Sequence, residues 1–93
     1  MKSQAYIETA QASKIAKRLL NHWKHKFDVE QTDVDMKIFM PSATVILSPN
    51  TDSLHVNIDF KSDEFSQEKL EQVVLDHLIR MGQEELQAKW SRD

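Results

Sequence analysis

The feature that most constrains this chain is an alternation of apolar and polar residues in three successive segments between positions 36 and 58. Successive side chains of a strand point to opposite faces, so each segment predicts a strand with one apolar face. The inward residues are Met36, Ile38 and Met40, then Ala43, Val45 and Leu47, then Leu54, Val56 and Ile58. Turn-forming residues separate the segments, so the pattern predicts a three-stranded antiparallel meander.

The two turns predict how these strands pair. A two-residue turn at Pro41 and Ser42 places Ile38 opposite Val45, and a four-residue loop at positions 49–52 places Val45 opposite Val56. Inward residues then meet inward residues on both sides, which a slip by one residue would destroy. The other face is mostly polar and is expected to contact water. It carries Lys37, Phe39, Thr44, Ile46, His55, Asn57 and Asp59.

Apolar residues at helical spacing predict a first helix over about positions 10–25, with Thr9 as its N-cap. Its buried stripe is Ala12, Ile15, Ala16, Leu19, Leu20 and Trp23. The segment also carries five cations and no acid between positions 10 and 26: Lys14, Lys17, Arg18, Lys24 and Lys26. A solvated helix face explains these charges, and an anion-binding or RNA-binding face is the alternative.

A second helix is predicted after an N-cap at Ser66, with Phe65 packing on Leu70. Acidic residues favour the positive end of its dipole; they are Asp63, Glu64 and Glu68. The predicted buried stripe is Leu70, Val73, Val74, Leu78 and Met81. Gly82, the single glycine of the chain, is expected to end the helix in the left-handed conformation.

Weaker strand signals lie outside the meander. Ala5 and Ile7 predict a first strand, and Phe27 and Val29 predict a short strand after the first helix. Positions 84–90 alternate again and predict a last strand, with Leu86, Ala88 and Trp90 inward. The order β-α-(β)-β-β-β-α-β then predicts a single α+β domain over 1–93, a two-layer sandwich with both helices on one face of a mostly antiparallel sheet.

Composition narrows the classes of function. The absence of cysteine excludes disulfides, thiolate metal sites and a cysteine nucleophile. A net charge of −3 disfavours a dedicated nucleic-acid binder. No apolar stretch of signal-peptide or membrane-span length is found, so a cytoplasmic location without membrane association is expected. A homodimer through the sheet face or an edge strand is left open by the sequence.

Histidines are the side chains with the greatest chemical interest. His77 falls within the predicted stripe of the second helix, where a ring shielded from solvent needs hydrogen-bond partners. A neutral core histidine bonded to a carbonyl, hydroxyl or carboxylate is one interpretation, and a metal ligand or general base is the other. If the two helices lie side by side, His22, His77 and Glu84 could bind Zn or Fe. The structural alternative is a bond from His77 to Glu84 or Arg80.

Two strings of residues resemble a known family. His-Trp-Lys-His-Lys-Phe at positions 22–27 and Asp-His-Leu-Ile-Arg at 76–80, with Glu84, Glu85 and a closing Trp90, are similar to the bacterial domain of unknown function 2218 family. The resemblance covers about positions 7–90. It implies a small cytoplasmic bacterial protein without an assigned activity. It also suggests a link to iron or siderophore metabolism, because related domains accompany siderophore-interacting flavoproteins.

The sequence therefore favours a non-enzymatic binding or accessory module. No phosphate-binding glycine loop, nucleophile elbow or dinucleotide fingerprint is present. The candidate ligand-binding residues are His22, Trp23, His25, His77 and Arg80. No cofactor is required by this hypothesis. The alternative is a metal-binding protein or small metalloenzyme that uses His22, His77 and Glu84.

Overall fold

The computed structural model describes residues 1–61 and 66–92, which form six strands and two helices. The strands are β1 (Lys2–Glu8), β2 (Asp28–Gln31), β3 (Met36–Phe39), β4 (Ala43–Pro49), β5 (Ser53–Phe60) and β6 (Ser91–Arg92). The helices are α1 (Ala12–Trp23) and α2 (Gln67–Gly82). The predicted order of elements is confirmed, including the short strand after the first helix. Neither described helix has the length and hydropathy needed to span a bilayer.

The strands form one antiparallel sheet in the order β2-β3-β4-β5-β1-β6. Buried positions alternate with more exposed ones along β4 and β5. The buried side chains of the strands join those of both helices in one hydrophobic core. The structure thus confirms the α+β sandwich, in which removal of apolar surface from water is the main stabilising term.

The first hairpin of the meander has the predicted register and the second does not. Ile38 lies opposite Val45 as expected. In the second hairpin Val45 lies opposite Ile58 rather than Val56, which is a shift of two residues. Pro49 belongs to β4 and pairs with Leu54, so the connection is shorter than the predicted four-residue loop. A two-residue shift leaves every side chain on its own face, and the apolar pattern cannot detect it.

All six residues of the predicted α1 stripe are buried, but Thr9 is not the N-cap. The N-cap is Gln11, whose side chain makes no capping hydrogen bond. Thr9 Oγ1 accepts a hydrogen bond from the Gln11 backbone N–H at 3.1 Å and donates one to Glu84 Oε1 at 2.5 Å. The hydroxyl thereby ties the start of α1 to the segment that follows α2.

Helix α2 begins as predicted, but the face that it buries is rotated about the helix axis relative to the predicted one. Ser66 caps the helix by accepting a hydrogen bond from the Lys69 N–H. Val73, expected in the core, is 42% exposed, whereas Glu71 is only 4% exposed. The buried positions are Glu71, Val74, Leu78 and Gly82. The proposed contacts of Asp63, Glu64 and Phe65 lie outside the described residues.

Gly82 is the last helical residue and not the left-handed residue that was predicted. Gln83 takes the left-handed conformation, with φ 54° and ψ 37°, and its N–H donates to the Ile79 carbonyl. A Cβ on Gly82 would lie 2.8 Å from Cδ1 of Ile15. The glycine is therefore explained by the close approach of α2 to α1.

The predicted last strand is reduced to two residues. Burial alternates over positions 84–90, with Leu86 buried, but this segment has no strand pairing. Only β6 pairs, through Ser91 opposite Gln4 and Arg92 opposite Ser3. The alternation over positions 84–90 therefore reflects which side chains contact the core. It does not come from pairing with another strand through backbone hydrogen bonds.

Candidate functional site

Three ring side chains meet where α1 and α2 face each other, and we call them the imidazole–indole cluster: His22, Trp23 and His77. The His22 and His77 ring centroids are 5.7 Å apart, and those of Trp23 and His77 are 4.9 Å apart. Trp23 is buried, His77 is half-buried and His22 is exposed. The cluster therefore runs from the core to the protein surface, with its two imidazoles on the outer side.

The expected enclosure of His77 between the helices and the sheet is wrong. Because the buried face of α2 is rotated, the His77 ring lies toward α1 and remains partly exposed. Its Nδ1 lies 2.7 Å from the Val73 carbonyl oxygen, one helical turn earlier. A carbonyl can only accept, so Nδ1 carries the proton; in the neutral form of this ring Nε2 keeps its lone pair, for which residues 1–61 and 66–92 supply no hydrogen-bond partner. The carbonyl partner agrees with one of the alternatives left open by the sequence.

Glu84 does not join the two histidines. Its carboxylate accepts hydrogen bonds from Thr9 Oγ1 and, at 3.2 Å, from Gln11 Nε2. Within residues 1–61 and 66–92, no three His, Asp or Glu side chains are placed to hold one metal ion. The predicted trio of metal ligands is therefore not assembled, because Glu84 instead joins the end of α2 to the start of α1.

One arginine on each helix lies within a turn of a histidine of the cluster. Arg18, one turn before His22, donates from Nη1 to the Met81 carbonyl at 2.9 Å. Arg80 is exposed in the last turn of α2, three residues after His77, and so lies on a neighbouring part of the helix surface. The remaining ligand candidate, His25, lies beyond the end of α1 and lines a separate open cleft of about 520 Å³. The other residues that line this cleft are Lys24, Lys26, Phe27, Asp28, Phe39, Met40, Pro41 and Lys61.

A second polar network, which the sequence analysis missed, joins α2 to β1 and β6. Glu71 accepts two hydrogen bonds from Arg92, at 2.8 and 2.9 Å, and one from Ser3 Oγ at 2.6 Å. Burial alone raises the pKa of Glu71, but the hydrogen bonds and charge of Arg92 and the Ser3 hydroxyl outweigh it and lower the pKa below 4.5. These partners lie 21 and 68 positions away in the chain, so no local spacing could have indicated them.

The outer face of the sheet carries an exposed aromatic pair. Tyr6, which is 64% exposed, stacks on His55 with centroids 4.1 Å apart and an interplanar angle of 3°. His55 Nε2 lies 3.0 Å from Gln4 Oε1. Burial lowers the pKa of His55 below 6.5. No role for His55 was predicted from the sequence, and these contacts explain how the ring is held on a mostly polar face.

Comparisons with known proteins cover nearly the whole chain. A family model described as an uncharacterized protein conserved in bacteria (DUF2218) matches residues 4–91. The NMR structure of PA4090 from Pseudomonas aeruginosa is similar, with 30% sequence identity, a TM-score of 0.78, and coverage of 97% of this chain and 94% of the other. No protein with a curated description matches.

Proposed function

Since this chain belongs to the DUF2218 family of uncharacterised bacterial proteins, we propose its function from the geometry of its site: a non-catalytic module that binds a ligand with an anionic group over the imidazole–indole cluster. The observation that carries the proposal is the pairing of His22 and His77, 5.7 Å apart, on the outer side of the helical layer. His22 can donate a ring N–H to an anionic oxygen, and the Nε2 lone pair of His77 can accept a hydrogen bond from a hydroxyl group of the same ligand.

Charge around the cluster supports an anionic ligand. Arg18 lies one turn before His22 on α1, and no acidic residue lies on that helix. Arg80 adds an exposed guanidinium on α2, which suits the two oxygens of a carboxylate or phosphate group. Trp23 packs against the His77 ring and limits its movement, so the binding groups are held in place before a ligand arrives.

A binding role is favoured over catalysis by how the carboxylates of Glu71 and Glu84 are used. Glu71 is paired with Arg92, and Glu84 is bonded to Thr9 and Gln11, so both carboxylates hold elements of the fold together. Neither is offered to a substrate beside the cluster as a general acid or base would be. The family description and the similar structure do not mention iron or siderophores, and our proposal does not include them.

The proposal is tested by NMR titration of isotope-labelled protein with citrate and with inorganic phosphate. We expect saturable shifts at the Trp23 indole N–H and the His77 ring. His22→Ala and Arg80→Ala should each weaken binding about tenfold, which corresponds to the loss of a charge-assisted hydrogen bond. Lys14→Ala, an exposed cation on α1, is the matched control. Shifts that do not saturate, or an equal loss in the Lys14 variant, would refute the proposal.

The proposed module acts in the cytoplasm, as the sequence leads us to expect. Cell fractionation with an antibody against the native protein tests this location. Recovery in the membrane or extracellular fraction would contradict it.

A homodimer through the sheet face or an edge strand also stays a prediction, and light scattering on the purified protein measures it directly.

A further inference from the structure

We infer that His22 and His77 form a two-imidazole site for a divalent transition-metal ion of the Zn²⁺, Ni²⁺ and Cu²⁺ class. The inference deepens the proposed function, because it uses the same two rings, but it does not require an anionic ligand. It also differs from the three-ligand site considered from the sequence, since Glu84 is used elsewhere.

The orientation of the His77 ring suits a metal ligand. Its Nδ1–H donates to the Val73 carbonyl at 2.7 Å, which fixes the tautomer and leaves the Nε2 lone pair free. A hydrogen bond from the second ring nitrogen to a carbonyl or carboxylate is the usual outer-shell support of a metal-binding histidine. His77 therefore already has the arrangement that a ligand requires.

The separation of the two imidazole rings also suits one shared ion. A zinc–nitrogen bond is about 2.0–2.1 Å long, so one ion bound by two imidazoles keeps the ring centroids roughly 5–6 Å apart. The observed centroid distance between His22 and His77 is 5.7 Å, with the ring planes inclined by 46°. The observed separation therefore lies within the range that one shared ion requires, and His22 is exposed at the protein surface.

The two ligands also lie on elements held firmly together. Ile15 packs closely on Gly82, and Arg18 donates a hydrogen bond to the Met81 carbonyl. Both contacts join α1 to α2, and both lie in the turns of α1 that precede His22. Trp23 supports the His77 ring from the core. An ion joining His22 to His77 would add one more cross-link between α1 and α2.

Two protein ligands leave coordination positions for water or for a carboxylate or phosphate oxygen. The imidazole ligands select the class of ion, because Mg²⁺ and Ca²⁺ prefer oxygen and imidazole suits Zn²⁺, Ni²⁺ and Cu²⁺. Among these ions Cu²⁺ is expected to bind most tightly, following the general order of divalent first-row metals. Mg²⁺ and Ca²⁺ therefore serve as negative controls.

The experiment is calorimetric titration of tag-free, full-length protein with ZnCl₂ in a buffer without phosphate or carboxylate. We expect one Zn²⁺ per chain. His22→Ala and His77→Gln should each weaken binding at least about tenfold. His25→Ala, a histidine three residues after His22 but in a separate cleft, should change it less than about twofold. No saturable binding below about 1 mM Zn²⁺, or an equal loss in the His25 variant, would overturn the inference.

A second measurement locates the ion even if a variant folds poorly. Cu²⁺ quenches the fluorescence of a nearby indole, and Trp23 contacts His77. In a Trp90→Phe protein, which leaves Trp23 as the single tryptophan, we expect saturable quenching by Cu²⁺ that His22→Ala weakens. Unchanged quenching in the His22 variant contradicts the site. Arg80→Ala separates the two proposals, because it should weaken citrate binding and should not weaken Zn²⁺ binding.

Discussion

Helix α2 carries two polar side chains that depart from its predicted pattern, and they are used in opposite ways. Glu71 is almost fully buried, and Arg92 and Ser3 together donate three hydrogen bonds to its carboxylate. His77 is half-buried and has one described hydrogen bond, through Nδ1 to Val73. A fully partnered group stabilises the fold, whereas a group with one free nitrogen near the surface is available to a ligand.

The largest effect that this comparison predicts is the loss of stability in Glu71→Ala. The substitution removes the acceptor of three hydrogen bonds and leaves the Ser3 hydroxyl buried. We expect the free energy of unfolding to fall by about 2–3 kcal/mol, measured by urea denaturation. Glu85→Ala, at an exposed acid, should change it by less than about 0.5 kcal/mol. Similar losses in both variants would show that the Glu71 network does not stabilise the fold.

Acid should remove part of the same contribution. The pKa of Glu71 is below 4.5 in the folded protein, so the unfolded chain binds the proton first as the pH falls. The stabilisation is present above pH 4.5 and decreases below it, until the folded carboxylate is also protonated. Urea denaturation between pH 3 and pH 6 should therefore give a smaller decrease in Glu71→Gln than in the native protein. The same pH dependence in both proteins contradicts the assignment.

The smallest effect is expected for His77→Gln in the absence of metal. The ring is half-buried, and glutamine keeps a polar group of similar size, so the loss should be below about 1 kcal/mol in the free energy of unfolding. A loss as large as that of Glu71→Ala would show that His77 is mainly structural. In that case the contrast between the two side chains of α2 would disappear.

The sequence predicted most of the fold because the core-forming residues are regularly spaced. The α1 stripe and the first hairpin follow from local periodicity, the Ser66 cap follows from the residue type at the helix start, and all three are confirmed. The second hairpin was shifted by two residues because Pro49 was interpreted as a turn residue. Pro49 lies beyond Leu47, the last β4 residue that pairs with β3, so its missing N–H is tolerated on the side without a strand neighbour.

The candidate site was predicted less completely. The approach of His22 to His77 follows from two neighbouring helices, and the structure shows it. The position of Glu84 was wrong because a strand was predicted where the chain forms an irregular segment tied to Thr9. The buried face of α2 was predicted wrongly because a glutamate such as Glu71 is expected on the exposed face of a helix. Its burial depends on Arg92, a partner that is distant in the chain.

The contact between Gly82 and Ile15 has a consequence for how this family can diverge. A methyl group at position 82 would need the space that Cδ1 of Ile15 occupies, 2.8 Å away. A homologue with alanine at the position of Gly82 is therefore expected to carry a shorter side chain, such as valine, at the position of Ile15. These two positions should therefore co-vary among relatives.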